Sequence, residues 1–183
     1  MTHTMKVLGI LALSLMLCSC SQSDYQKADM AYVAIDGALA IGQGLVPELV
    51  ASGKITAANG NVLNAQLGQL AVINDAYKSC IDNVLQAKLA TGQKFLDCLN
   101  LLAQSFYNNP QAAAALKYTN PQTVAEYNLV VTVVSKALAI AVAQFGGMTP
   151  PAPVIQSLAD GTPVAPAKTS EIHALENQVR AGL

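Results

Sequence analysis

The sequence contains no tryptophan, few aromatic residues and few charges, and these shortages exclude several classes of protein. Of its 183 residues, 5% are aromatic and 11% are charged, and ten Lys and Arg against eleven Asp and Glu leave a formal net charge of −1. Proteins that bind nucleic acid or an anionic membrane surface through charge carry an excess of basic residues. The balance excludes that kind of electrostatic binding, and the missing tryptophan argues against glycan stacking.

The remaining composition is that of one folded domain. The chain is 52% hydrophobic and contains 12 Gly and 8 Pro. That apolar fraction is too high for a disordered chain, and the Gly and Pro content is too low for a fibrous one. A chain of this length can bury a substantial core.

The first twenty residues have the parts of a secretory signal. Lys6 precedes an uncharged, Leu-rich run over 7–17, and small residues then precede Cys20. The run is too short for a membrane span, which needs about 20 residues. This pattern predicts an export signal over 1–19 that is removed from the mature chain.

The end of this segment, Leu17-Cys18-Ser19-Cys20, resembles the lipobox of bacterial lipoproteins. The resemblance implies a diacylglycerol on the Cys20 thiol and a fatty acid such as palmitate on the new amine. Cys18 departs from the pattern, because the family usually has Ala, Ser or Thr there; the alternative is an ordinary signal peptide with two incidental cysteines. Ser21 is not the Asp that resembles an inner-membrane retention signal, so the expected location is the outer membrane, facing the periplasm.

The sequence pattern over the body of the chain, residues 20–147, predicts helices. Apolar residues recur three and four positions apart and no length of strand alternation is present, so the fold class is all-α, a helical bundle of about four to five helices. The predicted helices cover 25–45, 57–90, 93–106, 110–117 and 121–145, with one or two further turns over 47–53. The apolar stretch 129–145 contains Lys136 and Gln144, which favours a central bundle helix over a membrane span.

The C-terminal part changes in composition. Five of the eight prolines lie within 148–169, which predicts a semi-rigid Pro-rich linker. The last segment, 170–183, predicts a short amphipathic helix whose apolar stripe consists of Ile172, Leu175 and Val179. We interpret this stripe as a partner-binding surface; the alternative is that it packs on the chain's own bundle.

Residues that could carry catalysis or hold a metal are sparse. His173 is the one histidine of the mature chain, and a surface position is expected for it. Two aspartate pairs, Asp29 with Asp36 and Asp75 with Asp82, are spaced seven apart and could bind a cation, but solvated helix faces are the better interpretation. The sequence therefore predicts no catalytic residues, no metal site and no cofactor beyond the covalent lipid.

Two thiols remain once Cys18 is removed and Cys20 is acylated. Cys80 and Cys98 each lie on an apolar helix face, and an even pair in an exported domain predicts a disulfide. The alternative is two reduced, buried thiols.

These observations predict a non-enzymatic lipoprotein of the bacterial cell envelope, tethered to the membrane by its lipid. It would act as a structural or interaction module whose partner is an envelope protein or a second copy, and nucleic acid is not expected. In general appearance it resembles lipoproteins carried by phages and prophages. The alternative is a carrier that holds a small ligand in an apolar cavity inside the bundle.

Overall fold

The computed structural model describes residues 24–87 and 91–182, and this part of the chain is an all-α bundle, as the sequence predicted. The helices are α1 Asp24–Ala51, α2 Ala57–Gln86, α3 Gly92–Tyr107, α4 Pro110–Leu116, α5 Pro121–Gln144 and α6 Thr169–Gly182.

Side-chain caps set where several helices begin. Thr56 and Thr91 accept from the backbone N–H groups of Asn59 and Lys94, at the starts of α2 and α3. Asn120 caps α5 in the same way, ahead of a proline in its first turn. Proline suits that position because the first N–H groups of a helix have no partner within the helix.

The first helix is longer than the sequence indicated. A break near Pro47 was predicted, but α1 runs through this residue to Ala51 and closes at Gly53, whose φ is +71°. Pro47 is exposed, and the adjacent Val46 and Leu49 are buried in the core. Burial of these apolar side chains stabilises the final turns despite the proline.

The long helices run antiparallel around one core. Tyr25 contacts Asp82 and Tyr32 contacts Asn74, so α1 and α2 form a hairpin. Gly42 of α1 lies against Val130 of α5, and Lys27 lies over the Phe145 ring. α5 buries more residues than α1 or α2, and it packs against α1, α2, α3 and α6.

The bundle therefore has two ends. At one of them, the Asp24 end, α1 and α3 begin and α5 terminates, and Gly92 lies against the Asp24 carboxylate and the Phe145 ring. At the other, the Tyr118 end, α3 terminates and α5 begins. The 24 residues of α5 separate the two ends by about 36 Å.

The segment predicted to be a linker is instead packed on the bundle. Its residues Ile155, Leu158 and Val164 are buried. The Asn128 side chain accepts from the backbone N–H of Ile155 (2.9 Å) and donates to its carbonyl (2.8 Å). These bonds satisfy backbone groups that an extended linker would leave to water, so the segment is an integral part of the fold.

Candidate functional site

The two cysteines predicted to pair are joined. Cys80 of α2 and Cys98 of α3 form a disulfide with their Cα atoms 5.9 Å apart. Cys98 is buried in the core and Cys80 packs against it. The bridge fixes α2 to α3 near the Asp24 end of the bundle.

The predicted partner-binding stripe lies on the chain's own helices. Leu175 is 3% exposed and Val179 is 7% exposed, and Ile172 packs against the core. Val179 packs on Gly37 of α1, where its Cγ1 lies 3.4 Å from the position that a Cβ would take, an ordinary van der Waals distance. The stripe is therefore not a free surface, because burying these apolar groups against α1 and α5 removes them from water within one chain.

Polar contacts of Glu176 accompany the packing of α6 on α1 and α5. Glu176 accepts from Lys136 of α5 (3.0 Å) and lies 3.0 Å from Nδ1 of His173. Burial raises the pKa of Glu176, but the hydrogen bonds from Lys136 and His173 outweigh it, so the pKa lies below its ordinary value. His173 occupies the surface position expected for it.

The aspartates meet along the seam between α1 and α2. The Lys78 ammonium lies 3.0 Å from Asp29 and 2.8 Å from Asp82, and donates to the Tyr25 hydroxyl (2.8 Å). The hydrogen bonds to Asp82 and Tyr25 raise the pKa of Lys78 well above its ordinary value, and the pKa of Asp82 is lowered in turn. Two of the four aspartates thus hold a lysine.

The other two aspartates, Asp36 and Asp75, are exposed as predicted, and Asp75 accepts from the Tyr32 hydroxyl (3.3 Å). Within residues 24–87 and 91–182, no group of three or more His, Cys, Asp or Glu side chains could hold a metal ion.

Polar groups inside the seam fix its register. Asn74, fully buried, donates from Nδ2 to the carbonyl of Tyr32 (3.1 Å). Tyr77 donates to the carbonyl of Ala28 (2.7 Å), and burial raises the pKa of its hydroxyl well above the ordinary value. Sliding α1 past α2 by one turn would leave these buried groups unpaired.

A pocket of ≈ 360 Å³ lies at the Tyr118 end, between α3, α5 and the Pro-rich segment. We call it the Tyr107 pocket. Its lining consists of Phe106, Tyr107, Asn108, Asn109, Tyr127, Pro153 and Ile155. The volume falls within the range of small-molecule sites, about 300–1,000 Å³.

The lining of the Tyr107 pocket is apolar and uncharged, with hydrogen-bonding groups at a few points. The Phe106 and Tyr107 rings meet edge to face, with centroids 5.5 Å apart. Burial raises the pKa of Tyr127 to about 12, so its hydroxyl stays protonated at neutral pH. The Tyr107 hydroxyl is buried and has no hydrogen-bond partner within the described chain. The pocket therefore suits an uncharged, ring-containing molecule with a polar group.

Sequence reasoning missed this pocket. The predicted cavity was inside the bundle, whereas this one forms only because the segment around Pro153 folds back on α3 and α5. The run Phe106-Tyr107-Asn108-Asn109 was the one local signal, since it combines aromatic and amide side chains at a helix end.

The predicted lipid acceptor, Cys20, and the signal segment 1–19 lie outside the described residues. Two described helices, α1 and α5, are long and apolar enough to cross a membrane on length and composition alone. Buried helices of a bundle meet the same criterion, and just over half of the α5 window is buried here.

Comparison with protein-family models, with curated proteins and with solved structures finds no match to this chain.

Proposed function

We propose that this chain is a lipid-anchored, non-enzymatic lipoprotein of the bacterial cell envelope that acts as a structural or interaction module. The Leu17-Cys18-Ser19-Cys20 pattern is the observation that carries the proposal. The mature chain begins at Cys20, is held by its lipid in the outer membrane and faces the periplasm.

The disulfide supports this location. Cys80 and Cys98 are bonded across two helices of the core. Such bridges persist in oxidising compartments, including the periplasm, and are rare where thiols are kept reduced. An exported bundle gains stability from the bridge that a cytosolic one would lose.

Acyl chains on Cys20 suffice as an anchor. Each buried CH₂ contributes about 0.8 kcal/mol, and two or more chains hold a protein stably at a bilayer. The apolar faces of α1 and α5 can then serve the bundle core, where both helices bury side chains.

The anchor is tested by two serine substitutions in the full-length chain. Cys20→Ser should abolish labelling by a radioactive fatty acid and release the protein from the membrane pellet, because the acceptor thiol is lost. Cys18→Ser is the matched control and should retain label and membrane association. A Cys20→Ser protein that stays in the pellet after alkaline extraction would contradict the proposal and identify α1 or α5 as a membrane span.

A second candidate function, a small-ligand carrier, is favoured by the Tyr107 pocket. Native mass spectrometry of the intact Cys20→Ser protein should then detect a retained molecule, or titration should show that the protein binds 1-naphthol, an uncharged ring with one hydroxyl. Tyr107→Leu removes an aromatic ring from the lining and should weaken naphthol binding about 2–10-fold, the effect of one ring contact. The control Tyr118→Leu removes an exposed ring and should change nothing. Equal binding by all three proteins would exclude this pocket as the site.

A further inference from the structure

We infer that the bundle stands end-on at the membrane, with the Asp24 end in contact with lipid headgroups. The inference rests on the proposed lipid at Cys20, and it identifies a lipid surface as the partner of one particular end of the fold.

The length of chain between the lipid and the first helix limits where the bundle can lie. Asp24, where α1 begins, is the fourth residue after Cys20. A fully extended chain spans at most about 3.3–3.6 Å per residue, so Asp24 stays within about 14 Å of the acylated residue. That distance is less than half the length of α5. The Tyr118 end cannot reach the headgroups while the Asp24 end faces away from them.

The surface of the Asp24 end suits the interface of a bilayer. Met148, just past the end of α5, is 95% exposed, and Leu85 at the end of α2 is exposed as well. Phe145, at the same end, is half-buried. The free energy of exposed apolar side chains falls when they move from water into the boundary between lipid headgroups and acyl chains.

Two pairs of opposite charges lie among the described residues of this end. Lys27 pairs with Asp24 (3.1 Å), and Lys94 lies 3.9 Å from Asp97. Contact of these residues with lipid does not depend on an anionic headgroup, so it should also form on zwitterionic bilayers.

The side of the bundle along α1 and α2 is a poor alternative contact. Four aspartates line this seam: Asp29, Asp36, Asp75 and Asp82. Lys78 neutralises one of these charges, so the seam is net negative and laying it on lipid phosphates would bring like charges together.

The end-on orientation has a consequence for the far end. The Tyr107 pocket and the exposed Tyr118 ring, 82% exposed, lie about one length of α5 from the headgroups. They face the aqueous periplasm, where a ligand or another envelope protein can reach them.

Fluorophores at the two ends test the orientation in the full-length, acylated protein. Met148→Cys and Tyr118→Cys each introduce one free thiol, since Cys80 and Cys98 are bonded and Cys20 carries lipid. Each protein is labelled with NBD and reconstituted into vesicles of phosphatidylethanolamine and phosphatidylglycerol that contain a nitroxide-headgroup lipid. We expect quenching at position 148 to exceed quenching at 118 at least threefold, and to persist in phosphatidylcholine vesicles.

A second pair of labelled positions controls for a local effect of the Met148 substitution. Lys94→Cys and Lys54→Cys replace exposed lysines at the Asp24 end and the opposite end. Position 94 should be quenched more than position 54. Equal quenching within both pairs would overturn the end-on orientation although the lipid is present. Absence of fatty-acid label on the wild type would overturn the anchor, and the orientation with it.

Discussion

Gly42 lies where α1 and α5 pack closely, and adding one methyl group there tests the packing of the bundle. A Cβ at this position would be 2.6 Å from Cγ2 of Val130 and 3.3 Å from Cδ1 of Leu67. Gly44, two residues further along the same helix, is exposed and has no heavy atom within 4 Å of such a Cβ. Gly44→Ala is therefore a matched control for the change in backbone entropy.

The two substitutions should have opposite effects on stability. Alanine in place of glycine within a helix stabilises by about 0.5–1 kcal/mol, and both variants gain this contribution. Forcing a methyl group into a packed core costs about 1–3 kcal/mol, and only Gly42→Ala incurs that cost. We expect Gly44→Ala to be stabilised and Gly42→Ala to be destabilised by about 1 kcal/mol. In a domain of this size each kcal/mol shifts the Tm by about 2–4 °C.

Thermal and urea unfolding followed by helical circular dichroism would measure the difference, with both changes made in the lipid-free Cys20→Ser chain. Val130→Ala should destabilise the Gly42→Ala protein by less than it destabilises the wild type, since it removes the Cγ atoms that the new methyl group meets. If Gly42→Ala proves as stable as Gly44→Ala, the close approach of α1 and α5 is wrong.

Three further predictions follow from the C-terminal helix and the disulfide. Replacing Cys80 and Cys98 by Ser should lower the free energy of unfolding by about 3 kcal/mol, the loop-closure value for a separation of 18 residues. Mature wild-type protein, which lacks Cys18 and is acylated at Cys20, should show no reactive thiol when it is denatured without reduction. Two reactive thiols would refute the bridge. Truncation after Pro166 should lower the Tm markedly, because it removes two buried side chains worth about 1.5–3 kcal/mol each, and an unchanged Tm would show that the helix is not part of the core. The pKa of Glu176 is lowered in the folded chain, so its stabilising effect is present above the unfolded value of about 4.3 and is lost as the pH falls through the lower folded value. Glu176→Gln should therefore reduce stability at pH 7, and urea unfolding should show the difference from wild type shrinking as the pH is lowered through the acidic range.

The sequence by itself determined the helical class and most helix boundaries. Thr56 and Asn120 are local signals, because a cap acts on backbone groups two or three residues away. The spacing of apolar residues marked the core face of each helix, and it placed Cys80 and Cys98 where two neighbouring helices can meet. The signal over 1–19 and the lipid at Cys20 are likewise read from sequence alone, and they stay predictions here.

The tertiary structure decided what local signals could not. The low helix propensity of proline predicts that a helix ends near Pro47. Burial of the neighbouring apolar side chains instead lets α1 continue for four residues beyond it. The proline-rich composition of 148–169 indicated a linker, yet Asn128, distant in sequence, binds its backbone at Ile155 and packs it on the bundle. From sequence, the stripe of α6 could pack on a partner or on the chain's own bundle, and the structure buries Leu175 and Val179 against α1 and α5. In each case the deciding contact joins residues far apart along the chain, so the free energy that selects it exists only once the bundle has formed.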